Sequence, residues 1–203
     1  AVLTLLPYPR PGYPFALHVA VEYPLSPSGV AVRTTARNVG RSALPYANGF
    51  HPYISVGTER VDPCLLRIAA RSWLPTDERQ IPTGRRPVDG SEYDFRTVRE
   101  IGSTQLDTGY TDLIRDEDGM ARLQLQSPDR SRTVSLWMDK GYGYVMAFSG
   151  YSLPDGALRR RSLGVPPMSA APNPFPRGRR LPGLQPDDPC STTRRHTRHS
   201  GHA

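Results

Sequence analysis

Proline and glycine set the limits on what this chain can fold into. Its 203 residues include 22 Pro and 18 Gly, spread through the body so that the apolar runs between them stay short. Proline removes a backbone donor and clashes with the preceding helical turn, and glycine weakens helices, so long helices have little room. Strand-length segments remain. Phe15–Tyr23, Gly29–Asn38, Leu65–Ser72, Ala121–Gln126, Thr133–Met138 and Tyr144–Phe148 each read as β. Leu17, Val19, Val21 and Tyr23 fall on one face of the first, with His18 on the other. Val30, Val32, Thr34 and Ala36 repeat the pattern, while Arg33, Thr35 and Arg37 point away. Turn signals at Pro27-Ser28-Gly29, Asp118-Gly119 and Pro154-Asp155-Gly156 separate such runs. No window sustains a 3.6-residue period. The expected fold is all-β, with antiparallel sheets packed as a sandwich.

The net charge of +7 would point to nucleic acid if it were spread over the surface. It is not. Residues 159–203 hold nine Arg against Asp187 and Asp188, and the rest of the chain carries 17 basic and 17 acidic side chains. Arginine runs without interleaved aromatics attract phosphate in a salt-sensitive, sequence-blind way, so no specific nucleic-acid partner is expected. The stretch 187–203 has no aliphatic residue larger than Ala and cannot offset its ordering entropy by burial. A folded region at 1–184 followed by a basic, disordered tail at 185–203 is the expected organisation. No apolar run approaches the length of a membrane-spanning helix. The start lacks both the basic region of a secretory signal and an initiator Met, which suggests a trimmed or partial chain. Cys64 and Cys190 make neither a disulfide framework nor a metal site, so a reducing cytoplasm is the expected compartment.

Few residues invite chemistry. No Gly-rich phosphate loop, paired-cysteine, HExxH or G-x-S-x-G motif occurs. His51, in Asn48-Gly49-Phe50-His51-Pro52-Tyr53, is either a packing residue at a sheet edge or a proton donor held by its Gly and Pro neighbours. Asp107, in Leu106-Asp107-Thr108-Gly109-Tyr110, reads as a turn carboxylate or as an acceptor for sugar hydroxyls, with Tyr110 as an apolar platform. Asp94 and Asp139 carry the same ambiguity, with turn roles favoured. Trp73, Trp137 and ten Tyr suit a sugar site and a sandwich core equally. Cys64 reads as a small buried hydrophobe. His196, His199 and His202 sit in the basic tail, where a metal site is a weak reading against plain disorder.

Taken in order, several stretches carry a resemblance. They are Gly12-Tyr13-Pro14-Phe15, 22-EYPLSPSGVAVRTTARNVG-40, Asn48–Tyr53, 74-LPTDERQIPTGRRPVDGSEYDFR-96 and 101-IGSTQLDTGYTDL-113, then 136-LWMD-139, 147-AFSG-150 and 162-SLGVPPMSAAPNPFPRG-178. From about residue 1 to 184 the chain resembles the aldose 1-epimerase (galactose mutarotase) family in its actinobacterial form. That resemblance implies a large antiparallel β-sandwich of the galactose mutarotase type. It also implies an isomerase that interconverts the α and β anomers of free hexoses with no metal and no organic cofactor. By the same resemblance His51 matches the family's general acid and Asp107 the residue that binds sugar hydroxyls.

Three departures qualify the match. The family's base Glu lies in a Val-Glu-Pro-Met type motif, which here reads Val165-Pro166-Pro167-Met168. Pro166 therefore stands where the base would be, and Glu22, Glu59, Glu78, Glu92, Glu100 and Glu117 all fall outside the matched catalytic motifs. The family carries further strands, with an Arg and another His, ahead of the point matched by Ala1. It also ends in a Trp-containing strand, where this chain reads 185-QPDDPCSTTRRHTRHSGHA-203, a sequence like an out-of-frame translation. These departures imply an impaired mutarotase or, alternatively, a non-catalytic carbohydrate-binding module on the same fold. They also imply an incomplete sandwich whose exposed strand edges favour self-association.

Overall fold

Side-chain alternation decides which way each strand faces, and the buried residues follow it closely. The computed structural model describes residues 1–154, 158–173, 183–186 and the backbone of 189–200. The elements in chain order begin with β1 (Val2–Leu5), β2 (Leu17–Glu22), β3 (Leu25–Ser26), β4 (Gly29–Asn38), β5 (Leu44–Pro45) and β6 (Tyr53–Ile54). Next come β7 (Leu65–Ile68), β8 (Ala70–Leu74), β9 (Arg86–Pro87), β10 (Arg99–Glu100), β11 (Asp107–Leu113) and β12 (Ala121–Gln126). The last are β13 (Arg132–Met138), β14 (Tyr144–Phe148), β15 (Leu163–Gly164), β16 (Pro167–Met168), β17 (Gly183–Leu184) and β18 (Pro189–Ser200). Among the described residues there is no helix. It follows that none of them forms a helix long and apolar enough to cross a membrane.

Among the described residues nine strands form one sheet, along the order β1-β2-β4-β18-β13-β12-β7-β10 with β3 hairpinned onto β4. Seven form a second, in the order β6-β15-β14-β11-β8-β9 with β16 beside β14. The two sheets share one core. Leu66, Ile68, Leu123, Leu125, Leu136 and Met138 come from the first sheet, and Ala70, Tyr110, Val145, Ala147 and Leu163 from the second. In β12 the pattern is strictly two-residue, with Ala121, Leu123 and Leu125 inside and the residues between them half-exposed. This is the expected all-β sandwich.

All six strands read from the sequence are present, and one does more than expected. The run Leu65–Ser72 changes sheets at Ala69, so that β7 pairs with β12 while β8 pairs with β11. Ala69 holds the corner, donating its N–H to the Arg122 carbonyl and accepting that of Ile114. Pro27-Ser28 closes the β3–β4 hairpin, with Ser26 opposite Gly29. The turn at Asp118-Gly119 needs the conformational freedom of glycine: Gly119 has φ +77°, and its N–H donates to the Asp116 carbonyl. The turn expected at Pro154-Asp155-Gly156 runs into residues outside the described set.

Within the stretch 185–203, expected to be a disordered tail, the backbone of 189–200 is described. Pro189–Ser200 is a strand, with Pro189 opposite Arg37 and His196 opposite Val30 on one side, and Met138 opposite Arg194 and Arg132 opposite Ser200 on the other. The ordering comes from the backbone. β4 and β13 would otherwise face each other as two unpaired edges, and a strand between them satisfies both rows of N–H and C=O groups without needing apolar side chains. The approach is anchored as well: Leu184 pairs with Leu44, and buried Asn38 donates from Nδ2 to the Leu184 carbonyl at 2.8 Å. The side chains of 187–203, including His196, His199 and His202, lie outside the described residues. Ending the chain at Pro186 should therefore open the nine-stranded sheet at its middle. The shortened chain is expected to melt earlier by circular dichroism and to elute as aggregate in gel filtration, and an unchanged melt would contradict this role for β18.

Candidate active site

Residues 48–54 and 163–169 run antiparallel and build the floor of the site. The Phe50 N–H donates to the Pro167 carbonyl, Val165 N–H to that of Pro52, and Ser169 N–H to that of Asn48. The Ser169 hydroxyl accepts the Asn48 N–H at 2.8 Å. Gly49 permits this approach, because a Cβ there would stand 3.0 Å from the Pro167 carbonyl oxygen. Phe50 packs against the core, which turns the neighbouring His51 outward.

From this floor a row of residues crosses four strands. Tyr53 of β6 lies opposite Gly164 of β15, Gly164 opposite Phe148 of β14, and Phe148 opposite Asp107 of β11. Residues directly opposite in antiparallel pairs share a face. Their chain neighbours Ala147 and Leu163 are fully buried in the core, so this row lies on the outer face of the seven-stranded sheet. Gly164 leaves a gap in the middle of it. A Cβ there would meet His51 Cε1 and Tyr53 Cε1 at 3.3 Å and Phe148 Cβ at 3.4 Å. His51 stacks on Tyr53, with ring centroids 5.0 Å apart, and so leans over Gly164 toward Phe148 and Asp107.

Asp107 is half-buried, and burial pushes its carboxyl above the usual carboxylate range, partly offset by its electrostatic interaction with His51. The site thus brings together the two residues singled out from the sequence, an imidazole and a carboxyl, over an aromatic floor. Near it a cleft of about 510 Å³ opens between Tyr13, Leu17, Tyr46 and Met168, reaching Asn48 and Gly49. Pro166 is buried, and its carbonyl accepts the Met146 N–H at 2.9 Å.

Comparison with known proteins decides the family. The aldose 1-epimerase family model matches residues 1–188. The chain belongs to the aldose 1-epimerase family. It is 31% identical over 177 residues to the uncharacterized protein YihR of Escherichia coli, covering 87% of this chain and 54% of that protein. It is 32% identical over 96 residues to mouse galactose mutarotase, covering 45% of this chain and 28% of the mouse protein. The fold matches that of galactose 1-epimerase from Lactobacillus acidophilus with a TM-score of 0.79 at 20% identity, over 99% of this chain and 63% of that structure. The chain thus spans about half the length of the E. coli relative.

Within this member of the aldose 1-epimerase family, other sequence candidates resolve into structural roles. Tyr110 is 1% exposed and donates its hydroxyl to the Tyr93 carbonyl, so it is core and no sugar platform. The aromatic beside Asp107 on the open face is Phe148, whose position follows from strand register and carries no local signal. Trp73 packs on Tyr93 at 4.5 Å. Asp94 accepts two hydrogen bonds from the Arg96 guanidinium and one from its N–H, which hold it below the ordinary range. Asp139 accepts the Gly141 N–H in a turn. Cys64 is a buried free thiol.

The upward shift of Asp107 has a stability consequence. Its folded state prefers the proton more than the unfolded chain does, so its contribution is present below the ordinary carboxylate range and is lost as pH climbs through the raised value. Asp107→Asn is therefore expected to raise the melting temperature at pH 7 and to leave it unchanged at pH 3. Melts at the two pH values check this, and a loss at pH 7 would contradict it.

Proposed function

We propose that this face binds a free hexose such as glucose or galactose, with His51 as general acid, Asp107 as the acceptor for sugar hydroxyls and Phe148 and Tyr53 as apolar surfaces for sugar C–H groups. The observation that carries the reading is the row Tyr53–Gly164–Phe148–Asp107, with His51 above its gap. Strands lie about 4.8 Å apart, so the three steps of the row span roughly 14 Å, which leaves room for a hexose between Tyr53 and Asp107.

Mutarotation needs two proton movements. A base removes the C1 hydroxyl proton while an acid protonates the ring oxygen; the C1–O5 bond breaks, C1 becomes an aldehyde, the C1–C2 bond rotates, and closure reverses each step on the other face. His51 supplies the acid half. By alternation from Gly164, with core Val165 between, position 166 falls on the same face, where a carboxylate would take the C1 proton. The Pro166 ring cannot. We infer a hexose site with mutarotation impaired by that residue. Pro166→Glu is expected to raise the polarimetric rate on fresh α-D-glucose by about 10²- to 10⁴-fold, the range typical of one acid–base group. A folded Pro166→Glu chain without acceleration would overturn this assignment.

A second reading follows from Pro166 itself, a carbohydrate-binding module without catalysis. Calorimetric galactose binding that Asp107→Ala abolishes, with no rate in the parent or in Pro166→Glu, would favour it. A hexose substrate and the free thiol of Cys64 fit a cytoplasmic setting, with neither nucleic acid nor membrane as partner. The exposed apolar residues of β1 are the contact we assign to a second copy: Val2, Leu3, Leu5 and Leu6 are all more than half exposed, and among the described residues β1 lies at one end of the nine-stranded sheet.

A further inference from the structure

Arg160 lies outside the row described above, yet its side chain ties the residue that follows β14 to the segment that leads into β11. It is 8% exposed and holds φ +54°, a backbone state that costs a side-chain-bearing residue roughly 1 kcal/mol or more and persists only when surroundings demand it. What demands it is the guanidinium. Nε donates to Asp62 Oδ1 at 3.0 Å, Nη2 to the Gly102 carbonyl at 2.7 Å, and Nη1 to the Thr104 carbonyl at 3.3 Å and the Ser149 hydroxyl at 3.2 Å. Its own backbone carbonyl accepts the Val61 N–H at 2.7 Å. The planar fork thus joins residues 61–62, 102–104 and 149 to the turn that leads into β15.

Two short links run from this fork to the site. The Ser149 hydroxyl, oriented by Arg160, accepts the Leu106 N–H at 3.1 Å, and Ser149 N–H returns a bond to the Leu106 carbonyl at 2.9 Å. Leu106 is fully buried and directly precedes Asp107 at the start of β11. In the other direction, four residues beyond Arg160, stands Gly164 beneath His51. We propose that Arg160, acting through Ser149, is a positioning residue that sets Asp107 and the Gly164 floor relative to each other. Lysine cannot replace it, because one ammonium offers its donors from a single point and cannot span four acceptor groups. The proposal rests on the sugar-site reading for its consequence, but its geometry is independent of it.

The test compares the full chain with Ser149→Ala, Arg160→Lys and Arg160→Gln, following three quantities. The first is the titration midpoint of the Asp107 carboxyl by carbon-detected NMR, the second galactose affinity by calorimetry, and the third the melting temperature. Loosening the support should let water reach Asp107, so its midpoint falls toward the ordinary carboxylate range in all three variants. Galactose affinity should weaken about tenfold, the scale of one misplaced hydrogen bond. A merely structural Arg160 would lower the melting temperature while leaving the Asp107 midpoint and the affinity of the folded chain unchanged, and that result would overturn the proposal. If Arg160→Gln does not fold, Ser149→Ala decides, since it removes one hydroxyl and keeps the buried charge paired. If the parent chain binds no galactose, the sugar reading fails, and the Asp107 midpoint still judges the role of Arg160.

Discussion

The antiparallel run between residues 48–54 and 163–169 joins stretches that are 121 positions apart at Asn48 and Ser169. Its backbone bonds fix where β6 meets β15, and β15 in turn pairs with β14 and β14 with β11. Each partner in the row across the sheet is set by that chain of pairings. A slip of one residue anywhere along it would turn the affected side chains to the opposite face, sending Phe148 or Asp107 into the core and Ala147 or Thr108 outward. Two glycines allow the close contacts. Gly49 lets the two segments approach, and Gly164 leaves the space over which His51 leans.

The same alternation divides labour between the faces of the seven-stranded sheet. Tyr110, Val145, Ala147 and Leu163 close the inner face against Leu123, Leu125 and Leu136 of the other sheet. Burying apolar side chains of this kind is typically worth about 1.5–3 kcal/mol each for the larger ones, which leaves the outer face free for polar and aromatic groups that add little to stability. Asp107 is such a group. Its carboxyl is raised by burial, whereas Asp94 and Asp118 are lowered by hydrogen bonds from Arg96 and Arg122. Carboxylates that hold turns are thus made easier to ionise, and the one on the open face is made harder to ionise. That contrast marks Asp107 as a functional candidate on physical grounds separate from the family motif.

Much of the fold was legible in the sequence because strand alternation is a local property. Leu17–Glu22, Gly29–Asn38 and Ala121–Gln126 announce themselves within their own residues. β11 does not: Asp107-Thr108-Gly109-Tyr110-Thr111-Asp112-Leu113 lacks an apolar period, and it forms a strand because β8 and β14 pair with it from both sides. β18 is the stronger case. Composition reads 189–200 as unable to order, and composition is silent about two sheet edges that take a backbone between them.

Consecutive residues were enough to show the all-β class and the family and to single out His51, Asp107 and Pro166 as candidates, because alternation and ordered motifs are written along the chain. It took the folded sandwich to place Tyr110 in the core, to set Phe148 and Tyr53 on either side of Gly164 beneath His51, and to bring Arg160 to Ser149 behind Asp107. Those relations depend on register between strands far apart in the chain. Register is settled by the summed fit of backbone ladders and core side chains, a property of the whole sandwich that no single segment carries.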